Sequence, residues 1–350
     1  MYVNGERVMA YVATIEEKKA IEGADKIEAY RVGGWWVVDK KDAYAVNDEA
    51  IYVSIDSWVP HEIAPFLSKG KEPREFNGVK GEKLRTVRLK GQISQGLLLP
   101  LSVLNIEQDG IVYETLADEG CDVTELLGIQ KWEAPIPACL AGQMRGNFPS
   151  AVKKTEAERV QNLNRSIEQW KETGYTFTVM EKVDGSSSTF YLDQENDFHV
   201  CSRNWDLKDE GENTYWNMAK KYSIQEKMIA NNMQGLAIQG EVWGNGLNNN
   251  LYKSQNQDLA IFSIYDTKTS SYLPTMEAKK IADKLELKFV PIIGQCNDLP
   301  TIDRMLNLAE FKSNLNNSVD AEGHVYRCNE DPNICFKAIS NLYLLNKKGD

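Results

Sequence analysis

Short apolar runs separated by turn residues fill the first hundred positions of the chain. The runs at residues 8–14, 27–32, 35–38 and 50–55 are rich in β-branched and aromatic side chains, which favour strands. Gly33-Gly34 and Asn47-Asp48 lie between them as typical turn residues. Short strands at this spacing predict a small all-β barrel or sandwich.

Strands and helices alternate in the remainder of the chain. The pattern weakens between residues 106 and 150, where connectors at 134–137 and 142–149 carry proline or glycine, so we predict domains at 1–130 and 131–350. The second domain is predicted to be α+β, with polar residues at strand ends. Its predicted strands are 175–180, 199–202, 236–243, 259–265, 322–327 and 334–339, and its predicted helices are 156–167, 215–233, 276–285 and 302–315.

The composition is that of a soluble globular protein, with 42% hydrophobic residues and a net charge of −11. No apolar run reaches the roughly 18–20 residues that span a membrane, and the first residues do not resemble a signal peptide. We therefore expect a cytoplasmic or nuclear protein. The net charge argues against indiscriminate nucleic-acid binding but does not exclude a local basic groove.

Basic residues are concentrated between positions 74 and 90. On a strand at 83–89, Lys83 and Arg85 share one face and Arg88 shares the other with Lys90. Two interpretations stay open, a solvated surface strand and a groove that follows a phosphate backbone. The six cations of this segment are Arg74, Lys80, Lys83, Arg85, Arg88 and Lys90.

One stretch in the second domain has the composition of a nucleophile site. The β-prone run at 175–180 leads into Lys182, followed by Asp184 and Gly185 and then three serines that are typical of a turn. A lysine amine attacks only after it loses its proton, so it needs partners that lower its pKa.

Residues further along the chain supply those partners in a recognisable order. The series E-K-V-D-G at Lys182, G-E-V-W-G at Glu241, F-S-I-Y-D at Phe262, E-G-H-V-Y-R at Glu322 and F-K-A-I-S at Lys337 resembles the motifs of the covalent nucleotidyltransferases. That superfamily comprises ATP-dependent DNA and RNA ligases and mRNA capping enzymes. The resemblance implies a nucleotidyltransferase domain of the ATP-grasp-like ligase type, in which the lysine attacks the α-phosphate of a nucleotide.

The first domain also resembles one branch of this superfamily. G-A-D-K-I-E, G-G-W-W-V-V and L-R-T-V-R-L-K-G-Q-I-S-Q-G-L-L-L-P are similar to RNA ligases that place an OB-type domain before the nucleotidyltransferase domain. The resemblance implies an ATP-dependent RNA ligase that acts in RNA repair. Its expected partner is RNA with a 3′-hydroxyl and a 5′-phosphate at a break, in particular a nicked duplex, and we expect a monomer.

The same resemblance implies roles for individual residues. Lys182 forms lysyl-AMP, with Lys337 and Asp184 as further catalytic residues. Asp184, Glu241 and Glu322 supply the oxygen ligands that suit Mg²⁺ or Mn²⁺. The nucleotide-binding set comprises Glu181, Arg203, Glu241, Phe262, Glu322 and Arg159, with Phe262 stacked on adenine or, alternatively, a core aromatic.

The last motif departs from the superfamily pattern. Members often carry two lysines as K-x-K, whereas here Lys337 is followed by Ala338 and Ile339. The role of the second lysine is lost or is met elsewhere, for example by Arg327 or Lys347.

Three other functions stay open at this point. They are an ATP-dependent DNA ligase, a guanylyl-transferring capping enzyme, which the domain order disfavours, and a non-catalytic OB-type RNA-binding protein with a degenerate second domain. Substrate tests distinguish a DNA ligase from an RNA ligase, and comparison of GTP with ATP identifies a capping enzyme. Absence of any protein–nucleotide adduct would favour the non-catalytic RNA-binding protein.

Overall fold

The computed structural model describes residues 2–3, 6–108, 111–113, 117–133 and 142–346. The chain divides into two compact units, residues 1–135 with 345–350, and residues 136–344. The predicted connector at 134–137 and the alternative cation Lys347 lie outside the described residues. Within the described residues, no helix has the length and apolar character required to cross a membrane.

The first unit is built from short antiparallel strands, as the apolar runs predict. One buried cluster packs Met9, Val12 and Ile51 against Val123, and a second surrounds Trp35. Its sheets have the orders β16-β8-β10-β9, β13-β7-β3, β4-β5-β6, β11-β12, β1-β2 and β14-β15. The strands are β1 (Tyr2–Val3), β2 (Glu6–Arg7), β3 (Ala10–Thr14), β4 (Glu17–Ala20), β5 (Ile27–Val32), β6 (Trp35–Lys40), β7 (Glu49–Val53), β8 (Ser57–Pro60), β9 (Arg74–Phe76), β10 (Val79–Lys83), β11 (Val87–Leu89), β12 (Gln92–Ser94), β13 (Leu97–Leu99), β14 (Ile106–Gln108), β15 (Ile111–Tyr113) and β16 (Gln130–Lys131), with 3₁₀ turns at Pro65–Ser68 and Leu101–Leu104.

The second unit contains a seven-stranded and a five-stranded sheet. Their orders are β17-β22-β21-β20-β23-β24-β25 and β18-β28-β27-β19-β26. The strands are β17 (Met144–Asn147), β18 (Glu158–Arg159), β19 (Phe177–Lys182), β20 (Ser186–Leu192), β21 (Phe198–Cys201), β22 (Trp205–Leu207), β23 (Leu236–Gly244), β24 (Gln257–Asp266), β25 (Ser271–Tyr272), β26 (Ile292–Cys296), β27 (Gly323–Cys328) and β28 (Cys335–Ile339). The helices are α1 (Asn164–Thr173), α2 (Thr214–Lys221), α3 (Ile224–Ala230), α4 (Thr275–Lys284), α5 (Ile302–Leu308) and α6 (Asn341–Asn346), with 3₁₀ turns at Val160–Asn162 and Asn248–Asn250.

Helices cover one face of each sheet, and the other two faces meet. The seven-stranded sheet packs Ile238 and Ile264 against Met218 of α2, and the five-stranded sheet packs Phe177 against Met305 of α5. The opposite faces share a smaller apolar cluster, in which Met180 and Val183 lie with Trp243, Tyr252, Ala260 and Phe262. The α+β character of this domain follows from strand alternation that leaves one face of each sheet for helices.

Two predicted elements of the second unit are interrupted. The helix expected at 215–233 is split into α2 and α3, because Ser223 adopts a left-handed conformation with φ 48°. The helix expected at 302–315 ends at Leu308, and the chain beyond it donates hydrogen bonds from Ser313 and Asn314 to Glu181. At the second place, contacts distant in sequence therefore override local helical periodicity.

Two further predictions of strands and helices were wrong. The helix expected at 156–167 begins only at Asn164, because Glu158–Arg159 pairs as a strand with Phe336 and Lys337. The basic strand expected at 83–89 is broken between Lys83 and Val87, where Leu84 turns into the core. Lys83 and Arg85 therefore do not share one strand face.

Phe336 holds together the core under the five-stranded sheet. It is fully buried and stacks on Tyr326 and Trp170 at centroid distances of 4.9 and 5.6 Å. We expect Phe336→Ala to lower the free energy of unfolding by about 3–5 kcal/mol, through lost burial and the cavity it leaves. Ile293→Ala is the control, since Ile293 is 41% exposed on β26. Urea unfolding followed by circular dichroism measures both, and equal destabilisation by the two substitutions would contradict this packing.

Candidate active site

Lys182 is the last residue of β19, a central strand of the five-stranded sheet. It lies opposite Gly323 of β27, which lies in turn opposite Ile339 of β28. Gly323 has φ +151°, and a Cβ atom there would lie 2.2 Å from the carbonyl oxygen of Ala338. Only glycine fits, so the close approach of these strands beside Lys182 depends on it.

Three carboxylates surround the Lys182 amine. Glu322, directly before β27, accepts a hydrogen bond from Nζ at 2.9 Å, and the charges of Glu241 and Asp184 also act on it. Burial lowers the pKa of Lys182, but the charges of these three carboxylates outweigh burial, so the pKa lies above its ordinary value. Among the protein's own groups, Lys182 is therefore held as an ammonium ion.

Glu241 is the second group of the site whose pKa is shifted. It lies on β23, and burial raises its pKa to about 8, with Glu322 and Asp184 contributing and Lys182 opposing. Three carboxylates beside one ammonium ion cannot all ionise cheaply in a buried site. Hard carboxylate oxygens with surplus negative charge are suited to Mg²⁺ or Mn²⁺. A divalent cation here would lower the raised pKa of both Lys182 and Glu241. The donor chemistry of these residues therefore suits the predicted metal.

Asp184 is fixed by three partners that the motif pattern did not reveal. Its amide donates to Tyr252 Oη at 2.7 Å, and its Oδ1 accepts from Asn248 Nδ2 at 3.2 Å and from Tyr343 Oη at 2.9 Å. Asn248 lies between β23 and β24, and Tyr343 lies in the last described helix. Neither position carries a local sequence signal for this role.

Glu181 faces away from Lys182, as successive residues of a strand must. Its carboxylate accepts hydrogen bonds from the Ser313 hydroxyl and from both the amide and the side chain of Asn314, the last two at 2.8 and 3.0 Å. Only 1% of Glu181 is exposed. The structure therefore places this predicted nucleotide ligand in a hydrogen-bonded loop contact on the opposite face of the sheet from Lys182.

Lys337 and Arg159 lie on the Lys182 face of the same sheet. Lys337 is opposite Val325, which is opposite Met180, two residues before Lys182. Residues directly opposite on paired strands point to the same face, so Lys337 and Lys182 do so too. Arg159 on the edge strand β18 pairs in parallel with Lys337 and joins this face.

Arg327 does not lie where the absent second lysine of the last motif would be. It is opposite Thr178, four residues before Lys182 and therefore about 13 Å away along the strand. Its guanidinium donates to the carbonyl of Pro332 at 2.6 Å and lies 4.6 Å from the ring centroid of Tyr272. The position two residues after Lys337 is Ile339, which is 3% exposed.

Phe262 lies at an irregularity in β24. Gln239 of β23 pairs with Ser263 and the next residue, Gly240, pairs with Ile261, which leaves Phe262 as the extra residue of a bulge. Bulges turn a side chain away from strict alternation. Phe262 is half-buried and packs with the cluster that contains Met180, which lies two residues before Lys182 on β19. An aromatic face at this position is suited to stacking on a base.

Arg203 lies in the turn between β21 and β22, and its positive charge acts to lower the pKa of Glu241. Its guanidinium donates to Glu156 Oε1 at 2.7 Å, and 56% of its side chain is exposed. Thr155, the residue before Glu156, contacts β20 through a 2.9 Å hydrogen bond between its hydroxyl and that of Ser187. Ser186 to Ser188 begin strand β20 rather than forming only a turn.

Comparison with known proteins identifies relatives of both parts of the chain. Residues 175–339 match the RNA ligase family model, and residues 9–101 match an OB-fold domain model. A search of curated protein sequences gives no match. The OB-type first domain and the ligase-type α+β second domain are thereby confirmed.

Solved structures of the Naegleria gruberi RNA ligase are similar to the whole chain. A variant without ligand is 38% identical, with a TM-score of 0.86 and 97% of each chain covered. A variant solved with ATP and manganese is 38% identical, with a TM-score of 0.86, 96% of this chain and 98% of that chain covered. A structure of that ligase with pyrophosphate has the same identity and TM-score and covers 97% and 98%.

Glu241→Gln should remove a pH dependence of stability. Because the pKa of Glu241 in the folded protein is about 8, above its ordinary 4.5, the fold binds this proton more tightly than the unfolded chain. Wild-type stability should therefore fall as pH rises from 4.5 to 8 relative to the variant, by on the order of 2–4 kcal/mol.

The measurement is urea unfolding in a metal chelator across that pH range. Glu195→Gln is the control, because Glu195 is exposed in the turn between β20 and β21. If the free energies of unfolding of wild type and Glu241→Gln changed equally with pH, the raised pKa of Glu241 would be contradicted.

Proposed function

This chain belongs to the RNA ligase family, and on that premise we propose that it seals 3′-hydroxyl/5′-phosphate breaks in RNA through a lysyl-AMP intermediate on Lys182. It is an ATP-dependent enzyme that joins RNA and uses a divalent metal. The finer assignments, nicked duplex RNA as substrate, RNA repair as role and a monomer as active form, are part of the proposal. The observation that carries it is the Lys182 amine 2.9 Å from Glu322 among three carboxylates.

In the first step, the Lys182 amine attacks the α-phosphorus of ATP. A nitrogen–phosphorus bond forms, the bond to the bridging α–β oxygen breaks, and pyrophosphate leaves. The ammonium must first give up a proton, which the ion pair with Glu322 opposes. Bound Mg²⁺ or Mn²⁺ would neutralise carboxylate charge and stabilise the developing charge on the phosphate. Asp184, Glu241 and Glu322 are the residues that would hold it.

Two further transfers complete the joining reaction. An oxygen of the RNA 5′-phosphate attacks the same phosphorus, the bond to Lys182 breaks, and AMP is carried on the RNA end. The 3′-hydroxyl oxygen then bonds to the 5′-phosphorus and its proton passes to water, while the bond from that phosphorus to the oxygen shared with AMP breaks and AMP leaves. The Lys182 face of the sheet offers Lys337 and Arg159 for the phosphates, and Phe262 offers an aromatic face for adenine. Arg203 contributes at the rim, where it is exposed.

Lys182→Ala and Lys182→Arg should each abolish transfer of label from α-labelled ATP to the protein. Arginine keeps the charge opposite Glu322 but does not provide a free amine at neutral pH, so it separates nucleophilicity from ion pairing. The control is Lys279→Ala, which removes an ion pair of 2.6 Å with Asp283 on helix α4. Labelling that persists in either Lys182 variant would contradict the nucleophile assignment.

We propose residues 1–130 as an OB-fold domain that binds the nucleic acid and residues 131–350 as the adenylation domain. Several cations of the basic segment are neutralised, since Arg74 pairs with Glu82 at 2.8 Å and Lys80 with Glu72 at 2.9 Å. Arg88 and Lys90 on the β11–β12 hairpin are exposed, and their side chains have no hydrogen bond or ion pair among the described residues. These two are the best candidates for contacts with phosphates.

Substitution of both Arg88 and Lys90 by alanine should weaken RNA binding and joining at a nick while lysine adenylation proceeds normally. Loss of two phosphate contacts should reduce the slope of log affinity against log salt by about two. Lys80→Ala is the matched control from the same segment, because its charge is already paired with Glu72. An unchanged salt slope in the double variant would remove this hairpin from the RNA interface.

Nicked duplexes with RNA or DNA on each side of the break separate RNA from DNA ligation, because the distinction rests on the 2′-hydroxyl near the nick. We expect joining to require RNA at the 3′-hydroxyl end or on both sides. Equal rates on all-DNA nicks would favour a DNA ligase, and no adduct with any nucleotide would favour a non-catalytic RNA-binding protein.

A further inference from the structure

The segment that follows β28 connects the backbone of Glu322 to the carboxylate of Asp184 by hydrogen bonds. The Ser340 amide donates to the carbonyl oxygen of Glu322 at 2.9 Å. The Tyr343 amide donates to Ser340 Oγ at 3.1 Å, and the Tyr343 hydroxyl donates to Asp184 Oδ1 at 2.9 Å. The two acidic residues are 138 positions apart in sequence, yet one short turn contacts both.

These contacts are shielded from water. Ser340 is 0% exposed, Tyr343 and Asp184 are each 7% exposed, and Glu322 is 8% exposed. A hydrogen bond to a carboxylate is stronger where water is excluded, and the loss of a donor there leaves a buried charge less satisfied. The direction of the bond is fixed, because a carboxylate only accepts and the tyrosine hydroxyl must donate.

Asp184 is also held by groups from the β23–β24 region. Tyr252 accepts from its amide at 2.7 Å, and Asn248 donates to Oδ1 at 3.2 Å, so Asn248 and Tyr343 converge on one carboxylate oxygen. The backbone and one oxygen of Asp184 are thus oriented independently. Such outer partners set the direction in which the carboxylate presents itself to a bound ion.

We propose that Tyr343, supported by Ser340, is a positioning residue that orients the Asp184 carboxylate and fixes its spacing from Glu322 for the divalent cation. This inference rests on the proposed function, in which both carboxylates hold that cation. Tyr343 touches neither the nucleotide phosphates nor Lys182 in this account, and it acts through Asp184. Because it lies six residues after Lys337, one stretch of chain carries both a predicted phosphate ligand and the support of the metal site.

The test is Tyr343→Phe, which keeps the ring and removes only the hydroxyl. We expect Mn²⁺ binding without nucleotide, measured by electron paramagnetic resonance, to weaken by roughly 10- to 100-fold. The Mn²⁺ concentration that gives half-maximal labelling with α-labelled ATP should rise by a similar factor. Ser340→Ala, which removes the acceptor for the Tyr343 amide, should shift both quantities in the same direction by a smaller factor.

Tyr222→Phe is the matched control. The Tyr222 hydroxyl also donates to an aspartate, Asp258, in a half-buried position after helix α2. We expect the control to lower the unfolding temperature about as much as Tyr343→Phe does while leaving Mn²⁺ binding unchanged.

The outcomes separate this inference from the function on which it rests. Mn²⁺ affinity of Tyr343→Phe within twofold of wild type, in a wild-type protein that forms the adduct, would overturn the positioning role alone. If Tyr343→Phe fails to fold, Ser340→Ala decides by the same criterion. A wild-type protein that binds Mn²⁺ but forms no adduct with ATP would overturn the proposed function, and the Mn²⁺ affinities would still test the role of Tyr343.

Discussion

The ion pair between Lys182 and Glu322, inside a group of three carboxylates, is the constraint on which the site depends. It orients the nucleophile, but it also holds the amine in its protonated, unreactive form. Burial, with contributions from the charges of Glu322 and Asp184, raises the pKa of Glu241 to about 8. A site with these properties is poised for a divalent cation, since one ion would relieve the carboxylates and weaken their hold on the ammonium proton.

Close strand approach in the five-stranded sheet places Glu322 beside Lys182. Gly323 lets β27 lie against β28 beside Lys182, and Glu322 directly precedes it. The bulge at Phe262 turns an aromatic ring toward the other sheet, next to Met180. Backbone features at two positions therefore set the geometry in which the charged side chains act.

The sequence predicted the order of the site residues better than their orientation. Strand ends at Lys182 and near Glu322 followed from apolar runs and turn residues, and the motif series indicated the family. The contact of Glu181 with Ser313 and Asn314 was not predictable, because alternation gives the opposite face but not what covers it.

The broken basic strand and the role of Tyr343 were missed for related reasons. Leu84 follows the end of β10 and is buried in the core, which periodicity over a few residues does not reveal. Tyr343 meets Asp184 across 159 positions, and a single sequence contains no record of such a pairing. Local patterns gave the elements, whereas long-range pairing decided the site's geometry.

The most direct test of the central claim is to locate the nucleotide on the protein. After incubation with ATP and Mn²⁺, peptide mapping by tandem mass spectrometry under conditions that preserve acid-labile phosphoramides would identify the modified residue. We predict a single AMP on Lys182, removed when pyrophosphate is added back. AMP on another residue, such as Lys337, or a protein that carries no AMP while it joins RNA, would contradict it.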